Sequence, residues 1–204
     1  FRAVVWGRDG QVERELAPAA GHSTSAATAL NDWGQIVGIS GDCDQAVGRR
    51  SAISAMLWQG GHKTVIPTFG GTAWNTPTAI SPLGTVVVFA NASAASGDNF
   101  DPRAFVWTRR QGTKALAQIE DDTTSQASGV NVWNQIVGQS CNADGVCRAV
   151  LWQRGQGYDL NDLIGSSTLY LYSANDIDNR GRIAGQAYDT VANVFVAFRA
   201  DPVR

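Results

Sequence analysis

The chain has 204 residues, of which 17% are charged, and a formal net charge of -2. Fourteen of the 16 basic residues are Arg and they are spread thinly, so the basic stripe of a nucleic-acid binder is missing. No apolar stretch approaches ~18 residues, which excludes a membrane-spanning helix.

Short apolar runs broken by Gly, Asn, Asp and Ser predict many short strands. In chain order, the first run is Arg2-Ala3-Val4-Val5-Trp6, followed by a strand around Val12 to Leu16. Next comes Ala29-Leu30-Asn31-Asp32-Trp33-Gly34-Gln35-Ile36-Val37-Gly38. Two apolar runs flank a four-residue turn there. An Asn can bond the backbone two residues on, and a Gly supplies positive φ, so the stretch predicts a β-hairpin. Ser54 to Trp58 repeats the first run, and Lys63 to Ile66 the strand after it. The hairpin returns at Ala79 to Val88, Gly129 to Gly138 and Asp176 to Gly185. The Trp-ended run returns at Arg103 to Trp107 and Arg148 to Trp152, and in weaker form at Val196 to Ala200. Lys114 to Leu116 and Gly157 to Leu160 complete the set.

The ends of the five runs lie 52, 49, 45 and 48 residues apart. Two interleaved motifs with a shared period define a repeat. Each unit offers four antiparallel strands in ~40–50 residues, the size of one propeller blade. One such sheet cannot bury both faces alone, so the units must stack. The expectation is a single all-β domain over residues 1–204, a β-propeller of four-stranded antiparallel blades.

The chain resembles the bacterial extracellular HAF repeat. The likeness rests on Phe69-Gly70-Gly71, on the four hairpins and on Ala104-Phe105-Val106-Trp107. It extends over nearly the whole chain. Arg or Ser stands where the family has His, and Ser81-Pro82 and Asp178 replace the hairpin Asn. The resemblance implies export and a repeat-β fold. It implies no activity.

The chain opens on a third and fourth strand and ends on a first, second and third. Pairing residues 2–16 with the hairpin at 170–188 would close four blades by strand exchange, leaving 195–199 surplus. Five blades with one incomplete, or an open arc, are the alternatives. The start at Phe1, without Met or an apolar leader, fits either an excised segment or a mature exported chain.

Cys141 and Cys147 bound a short loop and are expected to form a disulfide, which suits a secreted or cell-surface protein. Cys43 is left over, free or available to another chain. Trp33 and Trp133 occupy equivalent turn positions, either as stacking platforms for a sugar or as covers for the neighbouring blade. Trp6, Trp58, Trp107 and Trp152 are expected in the packing between blades. Asp42, Asp44, Asp98, Asp101 and Asp144 lie in loops between second and third strands, where a rigid scaffold presents functional groups. Their oxygens suit calcium, but no spacing among them is diagnostic, and no cofactor is expected. A carboxylate pair for glycoside hydrolysis could come from Asp32, Asp122, Asp159 or Asp162.

The reading is therefore a non-catalytic extracellular recognition module with a glycan or protein partner at its loop rim. A self-assembling coat or fibre component, joined through terminal strands or Cys43, is the first rival. A polysaccharide hydrolase or lyase is the second.

Overall fold

The computed structural model describes residues 1–42, 51–71, 74–92 and 101–203. Its strands form antiparallel sheets that follow one another in chain order. The first sheet is a hairpin of β1 (Ala3–Trp6) and β2 (Val12–Leu16). The second holds β3 (Thr24–Leu30), β4 (Ile36–Gly41), β5 (Ser54–Gln59) and β6 (His62–Ile66). The third holds β7 (Thr76–Ile80), β8 (Val86–Asn91), β9 (Pro102–Thr108) and β10 (Gly112–Ala115). The fourth holds β11 (Thr124–Val130), β12 (Ile136–Cys141), β13 (Cys147–Gln153) and β14 (Gln156–Asp159). The last holds β15 (Leu169–Ile177), β16 (Ile183–Asp189) and β17 (Val194–Ala200). Each sheet is a plain meander, so every neighbour in sequence is a neighbour in space.

The sheets stack face to face, and the hydrophobic cores lie between them. Ala3 and Leu16 of the first sheet pack with Met56 and Trp58 of the second. Val37 and Leu57 of the second pack with Val86, Val88 and Phe105 of the third. Val87 and Ala104 of the third meet Ala127, Val150 and Trp152 of the fourth. Val137 and Leu151 of the fourth meet Leu171, Ile177 and Ile183 of the last. Alternate residues of one strand thus serve the core in front and the core behind. This is why the middle strands read as continuous apolar runs in the sequence.

Two recurring polar devices fix one sheet against the next. Every first strand carries a β-bulge at the same place, as in Ala27/Ala29 and Pro77/Ala79. The bulge turns the extra residue toward the following sheet. There the Thr28 hydroxyl donates to the Pro77 carbonyl at 2.6 Å, and Thr78 donates to Ala127 at 2.7 Å. The Trp ending a third strand reaches the other way. The indole N–H of Trp58 donates to the Ala17 carbonyl, and that of Trp152 to Ala117, both at 2.8 Å.

That backward reach explains a departure from expectation. Trp58, Trp107 and Trp152 are buried, but Trp6 is 64% exposed. No sheet of the described chain lies behind β1, so the Trp6 indole has nothing to pack on.

The four-bladed closure by strand exchange is not what the strands form. β17 pairs with β16 along its whole length, from Val194 opposite Asp189 to Ala200 opposite Ile183. It fills the third-strand place of the last sheet rather than being surplus. Only a four-residue turn separates it from β16, so this pairing closes a far shorter loop than one with the other end of the chain. Among the described residues, β1 and β2 pair only with each other.

Candidate functional site

Each sheet has two ends. One gathers the turns between first and second strands and those between third and fourth. The other gathers the second-to-third loops and the links between sheets. Because β4, β8 and β12 each run from one end to the other, residues of the two sets cannot meet. Trp33 and Trp133 are therefore at the turn end, and Asp42, Asp101 and Asp144 at the loop end. The structure does not combine them into one site. Cys43, Asp44 and Asp98 lie outside the described residues.

At the turn end, the Asn31 carboxamide organises its whole turn. Its Oδ1 accepts the backbone N–H of Trp33 and of Gln35, while Gly34 takes φ 69°. Its Nδ2 donates to Gln35 Oε1 at 2.7 Å and to the Ser81 carbonyl of the next sheet at 2.9 Å. Asn131 repeats the arrangement on Trp133, Gln135 and the Asp178 carbonyl. Asn134 supplies the positive φ there, at 56°. The anticipated turn chemistry is present. The bridge to the following sheet was not foreseen, because a periodic sequence does not say which groups of neighbouring units meet.

The turns present their tips to solvent. Trp33 is 74%, Leu83 72% and Trp133 71% exposed. Trp133 leans on its neighbour, its indole N–H donating to the Asn179 carbonyl at 3.0 Å. That bond fixes the ring while leaving most of it open. The two readings of this residue, cover and platform, are thus compatible.

Beside these tips is a cavity of about 620 Å³. Leu57, Val106 and Leu116 supply apolar wall, and the buried Trp107 and Trp152 border it. Gln35, Asn134 and Gln153 supply neutral hydrogen-bonding groups. The charged residues of its lining are Arg109, Arg110, Lys114 and Arg154, all four exposed. None of them belonged to the site expected from sequence. A signal existed: Arg109 and Arg154 each stand two residues after the Trp of successive units, and only unit-by-unit alignment of the turns exposes it.

The loop end is organised by ion pairs and a disulfide. Cys141 and Cys147 are bonded, directly opposite each other across β12 and β13. Asp42 accepts the Ser23 N–H at 3.2 Å, Asp101 pairs with Arg103 at 3.1 Å, and the Asp144 N–H donates to Asn142 Oδ1. Among the described residues, no three His, Cys, Asp or Glu side chains gather as metal ligands.

Arg148 stands at the centre of an acidic cluster, with Asp122 at 3.3 Å, Glu120 at 3.0 Å and Asp159 at 3.4 Å. Burial opposes its charge, but the carboxylates of Asp122, Asp159 and Glu120 outweigh that and raise its pKa. The Tyr170 hydroxyl is raised as well, by burial first and by the nearby Asp159 charge second. Asp122 and Asp159, two of the candidate carboxylates, are thus tied to one guanidinium. Asp32 is in the turn at the opposite end.

No protein-family model matches the chain, and no curated protein matches it. Among solved structures it is similar to the β-propeller domain of the Trilobed protease from Pyrococcus furiosus, described as having an open velcro topology. The TM-score is 0.55 at 9% identity, over 94% of this chain and 52% of that one. The likeness defines the fold: an all-β protein of propeller-like four-stranded antiparallel sheets. The chain spans about half the length of the propeller it matches.

Proposed function

We propose that this chain is a non-catalytic recognition module that binds glycans on its turn end. One observation carries the reading. Trp33, Leu83 and Trp133, at equivalent tips of successive sheets, hold large apolar side chains more than 70% exposed. An exposed indole stabilises little in the fold, yet it offers a flat face to a sugar ring at small entropic cost. The spaced tips suit an extended ligand crossing several sheets.

Two further parts of the reading concern setting and shape. The Cys141–Cys147 bond favours an oxidising compartment and hence a secreted or cell-surface protein of the HAF-repeat kind. An open arc is favoured over a ring. Val37 with Leu57 and Val137 with Leu151 face forward into the next core, whereas the last sheet puts Ala184 and Arg199 there, both exposed.

Glycan-array binding of the wild-type chain, compared with Trp33→Ala/Trp133→Ala, tests the proposal. The expected result is a defined set of bound glycans, lost in the double variant while the urea midpoint stays within about 0.5 kcal/mol equivalent, as for exposed sites. Binding that survives loss of both indoles would place the ligand elsewhere. Self-assembly, motivated by β17 having no strand on its outer side among the described residues, predicts a concentration-dependent mass in light scattering.

A further inference from the structure

We infer that the turn-end cavity selects acidic saccharides, through an anion site built from Arg109, Arg110, Lys114 and Arg154. This deepens the glycan reading and rests on it.

The chain carries 18 acidic and 16 basic residues, so its surface as a whole favours neither sign. The cavity does. Its lining holds those four cations and no carboxylate. Among the described residues, none of the four pairs with an acid. Arg109 makes one bond, from Nη2 to Gln59 Oε1 at 3.4 Å. Unopposed cations around a low-dielectric concavity concentrate anions there. The guanidinium fork matches the two oxygens of a carboxylate or sulfate.

The rest of the lining says what else the ligand contains. Gln35, Asn134 and Gln153 offer donors and acceptors without charge, which suit hydroxyl groups. Val106 and Leu116, both half-buried, offer apolar wall for the carbon face of a ring. The volume of about 620 Å³ is in the range of small-ligand sites, enough for a few sugar units. A nucleic acid would need open aromatic faces for its bases. The two indoles bordering the cavity are 5% and 2% exposed and present none. The shared chemistry is therefore a saccharide bearing carboxylate or sulfate, seated by its charge in the cavity and continuing over the tips.

Calorimetric titration of the whole chain tests this, with a galacturonate hexamer, a sulfated galactose hexamer and a neutral galactose hexamer as probes. One acidic hexamer should bind at least tenfold more tightly than the neutral one, and which acid binds better assigns carboxylate or sulfate. Arg109→Gln/Arg154→Gln should remove at least tenfold of that affinity with an unchanged urea midpoint, since both side chains are exposed. Raising salt should weaken the wild type more than the variant. The inference falls if the neutral hexamer binds as well as the acids, or if the variant binds acids like the wild type. It also falls if a dodecamer of dT binds as tightly as the best saccharide. In those cases neutral-glycan binding would leave the turn-end reading standing; a chain that binds no glycan at all would end both.

Discussion

Removing the Arg148 guanidinium should be among the most damaging single changes available in this fold. Asp122 is 1% exposed, and neither of its carboxylate oxygens receives a hydrogen bond. Its charge is balanced by Arg148 at 3.3 Å, a side chain itself only 17% exposed. Solvent screening therefore offsets little. Arg148→Met keeps most of the volume and deletes the charge, leaving a buried carboxylate without its counter-ion. Breaking a buried pair in this way costs about 3–5 kcal/mol. For a domain of this size that lowers Tm by roughly 6–20 °C. Glu120 is 67% exposed and adds less, while Asp159, 10% exposed, keeps the bonds it accepts from Asn161. Urea unfolding followed by Trp fluorescence, with calorimetry for Tm, gives the number. The double variant Arg148→Met/Asp122→Leu should recover most of the loss, because an apolar pair can replace a buried ionic one at little cost. A single-variant loss below about 1 kcal/mol, or a double variant as unstable as the sum of the two singles, would refute the assignment of Arg148 as the counter-ion of Asp122.

Two further outcomes are expected. Gly138→Ala should cost roughly 1–3 kcal/mol in urea unfolding by overpacking. The new Cβ would lie 2.0 Å from the Gln126 carbonyl oxygen, an atom of the backbone that cannot swing aside. Gly165→Ala, where nothing stands within 4 Å, is the control and should be close to neutral. Breaking Cys141–Cys147, by reductant or by Cys141→Ser/Cys147→Ser, should lower stability by about 2 kcal/mol, the loop-closure value for so short a loop. Mass spectrometry showing both thiols alkylated without reductant would contradict the bond.

The strand pattern was legible because it depends on local rules. Val12 to Leu16 falls where the repeat puts a strand after the Trp-ended run, and each hairpin turn has its positive φ at Gly34, Gly84, Asn134 or Gly181. The disulfide was legible too, since its loop leaves little choice of partner. What the residues did not reveal depends on pairs of units. Trp6 looked like the other three strand-ending Trp residues, but among the described residues no sheet lies behind it and it is exposed. The Thr28 and Thr78 bridges need a bulge that no composition rule announces. The Asp-bearing loops and the Trp-bearing turns both looked functional. Only the strand directions separate them to opposite ends.

The separation also bears on why the turn tips vary. In three of the four turns one side-chain oxygen accepts two backbone N–H groups, that of the tip residue and that of the residue two further on: Asn31 from Trp33 and Gln35, Asn131 from Trp133 and Gln135, Asp178 from Arg180 and Arg182; in the fourth, Ser81 accepts from Thr85. None of these bonds involves the side chain of the tip residue. The turn itself therefore places no demand on what the tip carries, and the four equivalent positions hold Trp, Leu, Trp and Arg, of which Trp133 alone is shown bonding the next sheet through its side chain. Nor does burial account for the choice, because the first three remain more than 70% exposed. A large apolar group that neither the turn nor the core requires is a recurrent exposure of apolar surface to water, unfavourable by roughly 25 cal/mol per Å² left uncovered. Two indoles and a leucine at matched positions, beside a cavity of one charge sign, are the surface that the proposed glycan would cover.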